Sequence, residues 1–380
     1  MGRIRNLPLR IFIYNISGEK PIRKILILYV LFLSVSGIFA QQVIENPEKP
    51  STRNAGRTIQ LQEVLRIKDE GKGFYFKMPW ILDVAADGSI FVQDGLALYA
   101  FAPDGRFKKN LVKTGQGPGE ISTELTDLLV KDNEVLMFSA PSNKLVKTNF
   151  EGKLIKEIRF DKKIFYNLLA FHGEKYFMLD LKRGDFVRTD GIKDHDYNLF
   201  LVNEDGTFNP APCSFTTQFY LQVREKGGSY SDITRLYMSK ESKKFMYIAH
   251  TQEYQIKQLD LEKAQITKIF HRSYSRVQGQ KKDPRDLRKM PAFDNDVYRL
   301  LVYKDQIWAL TSTYDPKKGV LVDVFNADGK YMDNFWLPLL NIRTGDASFQ
   351  RYFPIVIQGD YLYAIEHNAD WDFSIAKYKI

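Results

Sequence analysis

A short apolar run, a tight turn and a second apolar run recur six times along this chain, and that recurrence limits the folds open to it more than any other feature. In the first unit, 80–85 is answered by 89–92 across Asp87-Gly88, and 98–101 by 107–112 across Asp104-Gly105. Turns this tight need a positive φ, which glycine adopts without steric cost, so each marks a hairpin. The second unit keeps the order, with 127–130 and 135–138 joined by Asp132-Asn133, then 145–149 and 154–160 joined by Glu151-Gly152. Four strands in about 45 residues is the size of one propeller blade. Further units begin near 167, 234, 298 and 353; the third carries an insertion before Asn198, and the fourth has Glu262-Lys263 where the others have an acidic-Gly turn.

The sixth unit stops after three strands, 353–357, 361–365 and 373–378. An unpaired edge there would template aggregation, so a fourth strand must come from elsewhere in the chain. Residues 58–67 alternate Ile59, Leu61 and Val64 with polar neighbours and have no partner of their own. The expected fold is therefore all-β: a six-bladed β-propeller of four-stranded antiparallel blades, its ring closed by an N-terminal strand that completes the last blade. The 27 Phe and 21 Tyr suit half-buried pleated strands. No long segment repeats apolar residues at helical spacing.

The net charge of +9 invites a nucleic-acid reading, but its distribution argues against one. Residues 1–40 hold Arg3, Arg5, Arg10, Lys20, Arg23 and Lys24 against Glu19, a net +5 that leaves +4 for the rest. That stretch reads as a secretory signal with an extended lead: Arg23-Lys24, an apolar run over 25–39, and Ala40 before Gln41-Gln42. The run is short for a membrane span, so none is expected after signal removal, and the domain is expected in the periplasm or secreted. Residues 41–57, with two prolines and many polar groups, read as a flexible linker, leaving 58–380 for the propeller. Cys213 is the sole cysteine, which excludes an internal disulfide, and it reads as a buried small apolar residue rather than a nucleophile.

Gly115-Gln116-Gly117-Pro118-Gly119-Glu120, followed by a strand, an acidic turn, a second strand and the 143–148 segment, resembles NHL-repeat propellers. Over 58–380 the chain resembles a family of secreted bacterial six-bladed propellers. The resemblance implies the fold and export; it implies no reaction, because propellers host many functions. The Gly-Pro-Gly link does not recur in the later units. The same stretch lacks the Lys-Ser/Thr of a phosphate-binding loop and reads as a tight link between blades.

Propeller inner strands line a central channel, and their leading ends meet at one mouth. Counting back from each second strand places Asp127, Asn167, Arg235 and Arg299 there, with Trp80 and Tyr352 near. Arginine is a bidentate partner for carboxylates, and aromatic faces stack on rings and sugars. The candidate ligand site is therefore Trp80, Asp127, Asn167, Arg235, Arg299 and Tyr352, taking a small ligand, a glycan or a protein. Related propellers of the lactonase kind hold a channel cation with Glu, Asn and Asp; two arginines at this mouth disfavour a cation, and no cofactor is expected. The five histidines are far apart, with no HxH or HExxH spacing. No Ser-His-Asp or Cys-His set assembles from local spacing. The residues favour a non-catalytic binding module; the alternatives are a metal-dependent lyase or lactone hydrolase at the channel, and a structural part of an envelope assembly. The basic link 273–296 and the Tyr- and Gly-rich 220–230 are expected as rim loops.

Overall fold

The structure is a computed structural model that describes residues 41–69, 71, 73–160, 166–181, 191–224, 227–232, 236–250, 253–278, 293–338, 354–368 and 370–380. Contacts set residues 42–380 apart as one compact unit. Within it, six antiparallel sheets follow the chain. Blade 1 is Pro79–Val84, Ile90–Asp94, Ala97–Phe101 and Phe107–Asn110. Blade 2 is Asp127–Lys131, Glu134–Ser139, Lys144–Asn149 and Leu154–Arg159. Blade 3 begins Tyr166–His172 and Lys175–Leu181, blade 4 Leu236–Met238 and Phe245–His250, and blade 5 Val297–Tyr303 and Gln306–Asp315. Blade 6 has three strands of its own, Ile355–Gln358, Tyr361–His367 and Phe373–Lys379.

The fourth strand of blade 6 is Gln62–Lys68, antiparallel to Phe373–Lys379 with Ile67 opposite Ile375 and Leu65 opposite Lys377. The ring is closed by this N-terminal strand. Burial follows the same logic. One apolar cluster lies between each pair of neighbouring blades, and the one holding Ile67, Phe74, Leu82, Val84, Tyr363 and Ile375 joins blade 6 to blade 1. The hairpins form where the turn chemistry places them: Asp132 and Asn133 both take positive φ, 50° and 62°. Among the described residues no helix is long and apolar enough to cross a membrane.

The N-terminal lead departs from expectation. Gln42–Asn46, expected as part of a flexible linker, is a fifth strand on blade 4, parallel to the outer strand Gln265–Arg272. An outer strand offers a row of unpaired backbone groups, and the lead satisfies them. The Asn46 side chain fixes the docking by donating to the carbonyls of His271 (3.0 Å) and Gly329 (2.9 Å) and accepting from the Tyr331 amide (2.8 Å). Beneath it, Arg272 pairs with Asp323 at 2.8 Å and donates to the Glu48 carbonyl at 2.8 Å. The expected strand 58–67 is also divided. Arg57–Thr58 pairs with the outer strand of blade 5, Tyr331–Leu337, and only from Gln62 does the chain join blade 6. The lead thus passes along the outer edges of blades 4, 5 and 6 in turn.

Blade 3 also departs. Its third and fourth strands, Gly191–Asn203 and Phe208–Arg224, run on past the end of Lys175–Leu181 and gain a further strand, Gly227–Asp232. Most of 220–230, expected as a rim loop, is therefore extended sheet in this arm. Of the basic link 273–296, residues 279–292 lie outside the described residues.

Gly115–Glu120 is the tight link expected between blades 1 and 2. Lys113–Thr114 and Glu120–Ile121 pair in parallel and pinch it into a loop. The Glu120 carboxylate folds back to accept the Gly117 amide at 2.9 Å, and a Cβ on Gly115 would collide with that carboxylate. Lys144, buried in blade 2, donates to the Gly117 and Glu120 carbonyls at 3.0 and 2.8 Å.

Candidate functional site

The inner strands begin at one mouth of the channel and end at the other. At the starting end, a cavity of about 430 Å³ spans the ring from blades 1 and 2 to blades 4 and 5. One wall is Trp80, Ile81 and Gln93 of blade 1, continued by Glu124, Leu125 and Thr126 of the link into blade 2. The facing wall is Tyr237 of blade 4 and Arg299 of blade 5.

Two of the expected site residues, Trp80 and Arg299, therefore line the cavity together. Asp127 and Asn167 do not. Asp127 opens the inner strand of blade 2 and accepts the Leu168 amide of blade 3 at 2.9 Å, with the Asn167 amide group at 3.4 Å. These two side chains clasp neighbouring blades. Burial lifts the Asp127 carboxyl to about 7, against the pull of those two hydrogen bonds. Arg235 and Tyr352 lie outside the described residues.

Six of the eight lining residues are not among those expected from the sequence, Tyr237, Gln93 and Glu124 included. Tyr237 stands two positions beyond Arg235, and strand alternation puts such positions on one face, so a signal existed. Gln93 pairs in register with Ile81, which only the sheet reveals. Glu124 lies in a link, where no periodicity points to it.

Arg299 carries the chemistry of this cavity. Among the described residues its guanidinium makes no hydrogen bond or ion pair. Burial pushes it below the ordinary arginine value, and the nearby Tyr237 hydroxyl opposes that drop. A desolvated cation without a counter-charge is costly, and an anion entering the cavity would relieve that cost.

The opposite end of the channel is crossed by ion pairs. Lys240, just past the inner strand of blade 4, ion-pairs across the ring with Asp83 of blade 1 and donates to the Val84 carbonyl at 3.2 Å. Its neighbour Glu241 accepts from Lys131 of blade 2 at 2.9 Å and meets His172 of blade 3 at 2.6 Å. Asp83 in turn accepts the Val130 amide at 2.7 Å. Charged groups here are matched within the protein, whereas Arg299 at the other end is not. Among the described residues no three His, Cys, Asp or Glu side chains converge as a metal site. Cys213 is half-buried near Lys257, and burial pushes its thiol up to about 12, which makes it a poor nucleophile.

Comparison with known proteins agrees on architecture. The DUF5128 family of six-bladed β-propellers matches residues 82–226, most of blades 1 to 3. A protein of Bacteroides fragilis described as exported superposes with a TM-score of 0.50 at 13% identity, covering 89% of this chain and 99% of its own. A DUF4221 member from Bacteroides vulgatus gives 0.45 at 13% identity, covering 85% and 98%. A virginiamycin B lyase from Staphylococcus aureus gives 0.45 at 11%, covering 84% and 99%. At these identities the likeness is one of fold. No curated protein sequence matches the chain. With six sheets in sequence, a donated closing strand and a matching family model over its first three blades, the chain is a six-bladed β-propeller.

Proposed function

We propose that this propeller is a non-catalytic binding module, periplasmic or secreted, that takes a small anionic ligand at the starting mouth of its channel. The observation that carries the reading is Arg299: a half-buried guanidinium on the wall of a cavity of about 430 Å³, with no partner among the described residues. The volume falls in the range of small-molecule sites, roughly 300–1,000 Å³. A carboxylate accepts two parallel hydrogen bonds from a guanidinium, which selects planar acids over point charges. Trp80 and Tyr237 add aromatic surface on the two walls. Export follows from Arg23-Lys24 and the apolar run at 25–39.

The test is calorimetric titration with organic acids and their matched amides, on the wild type and on Arg299→Gln, with thermal unfolding to confirm that the variant is folded. Acids are expected to bind and amides not, and the variant is expected to lose at least tenfold in affinity. Equal binding of acids and amides, or unchanged affinity in the variant, refutes the reading.

A further inference from the structure

The polar side chains around the cavity fall into two groups. Thr126 accepts the Ala140 amide at 2.9 Å, and the Gln93 amide group donates to the Gly95 carbonyl at 2.6 Å. Trp80 and Tyr237 also have interactions within the protein. That leaves Arg299 and Glu124, neither of which makes a side-chain hydrogen bond or ion pair among the described residues. One is a cation on the blade 5 wall; the other is a carboxylate on the link into blade 2, on the facing wall. They are not within ion-pair distance of each other.

A ligand carrying only negative charge would satisfy Arg299 and bring its remainder against a second negative group. A ligand carrying only positive charge would meet the reverse. We infer that the ligand is a zwitterion, its carboxylate held by Arg299 and its ammonium by Glu124. This rests on the reading of Arg299 as an anion receptor and adds the second charge. The two protein charges stand on facing walls and do not touch, so a single ligand satisfies both only if it carries both signs. A dipeptide carries both signs, one at each end, and is a convenient probe of the pair. Ile81 and Leu125 add apolar surface to the same cavity. Glu124 is exposed, so water screens it, and its share of the affinity is the smaller one.

Three probes isolate the second charge: Gly-Phe, its N-acetyl derivative, which keeps only the carboxylate, and Gly-Phe amide, which keeps only the ammonium. Titration at low ionic strength is expected to rank Gly-Phe about three- to tenfold above the acetylated form, with the amide weakest. Glu124→Gln is expected to erase the preference for Gly-Phe while leaving the acetylated form unchanged. Glu124→Asp is expected to keep part of it. Equal binding of Gly-Phe and its acetylated form, or an unchanged ratio in Glu124→Gln, overturns the zwitterion and leaves the anion receptor standing. Failure of Gly-Phe alongside binding of simple acids does the same. Failure of every carboxylate overturns both.

Discussion

Replacing Arg272 with Met tests how the N-terminal lead and blades 4 and 5 are held together. Its guanidinium lies 2.8 Å from Asp323, and the two side chains are only 6% and 0% exposed. The Asp323 carboxylate also accepts from the hydroxyls of Tyr254 (2.6 Å) and Tyr331 (2.8 Å). Three tyrosine rings, Tyr254, Tyr274 and Tyr331, pack against the cation with centroids at 5.3, 5.1 and 4.8 Å. Methionine fills much of the volume but leaves a buried carboxylate with two hydroxyl donors and no cation. Breaking a buried pair on one side costs about 3–5 kcal/mol. Residues 42–380 unfold with an entropy near 0.7 kcal/mol/K at about 2.1 cal/mol/K per residue, so Tm should fall by about 4–7 °C. Burial already raises Asp323 above the ordinary carboxylate value. Losing Arg272 raises it further, so the cost grows as pH rises and is smaller in mild acid, where the carboxyl takes up a proton. Thermal unfolding by circular dichroism at pH 5 and pH 8 measures both effects. Arg272→Met with Asp323→Leu should recover most of the loss, because removing both charges removes the unpaired one. A single variant within about 1 kcal/mol of wild type, or a double variant whose loss is the sum of its parts, refutes the reasoning.

Two further outcomes follow from the same geometry. Asp127 has a native pKa near 7 against 3.8, so its neutral form favours folding, fully at low pH and progressively less as pH rises through 7. That shift corresponds to about 4 kcal/mol, or about 2 after discounting for the part of the residue that still meets water, so Asp127→Asn should gain about 2 kcal/mol on wild type between pH 4 and pH 8.5; an equal effect at both pH values by thermal unfolding counts against it. Asn46→Ala removes three hydrogen bonds to largely buried backbone groups and should cost about 2–3 kcal/mol, with faster amide exchange over 42–46; unchanged protection there would show that the lead is held by other contacts.

Most of the ring was legible because its signals are local. Asp87-Gly88 and Asp104-Gly105 sit between apolar runs, and each glycine takes the positive φ its turn requires, 88° and 84°. The closing strand was legible because the last unit lacked one. The lead was not. Its proline-containing, polar sequence has no apolar face to announce a strand, and Gln42–Asn46 becomes one only against an edge 226 residues away. Nor was the division at 58–61 visible, since Ile59 donates its amide to Trp336 of blade 5, a partner no alternation specifies. At the mouth, Trp80 and Arg299 could be placed by counting along inner strands. Asp127 and Asn167 were placed on the right strands but serve the seam between blades 2 and 3, because hydrogen bonding across that seam absorbs them. Glu124 became visible only when the link carried it to the rim.

The donated strand has a consequence for how the molecule is made. Lys68 and Phe373 are 305 residues apart, yet they belong to one sheet. At roughly 5–20 residues per second, a ribosome finishes the second about 15–60 s after the first. Over that interval the strands of blades 1 to 5 emerge with partners of their own while 62–68 waits without its mate, exposing Leu65 and Ile67 to any passing edge. Such distant partners also make the final step slow. The hazard in this protein's life is therefore the minute before completion, and a cell producing it must keep one seven-residue ribbon from finding the wrong neighbour.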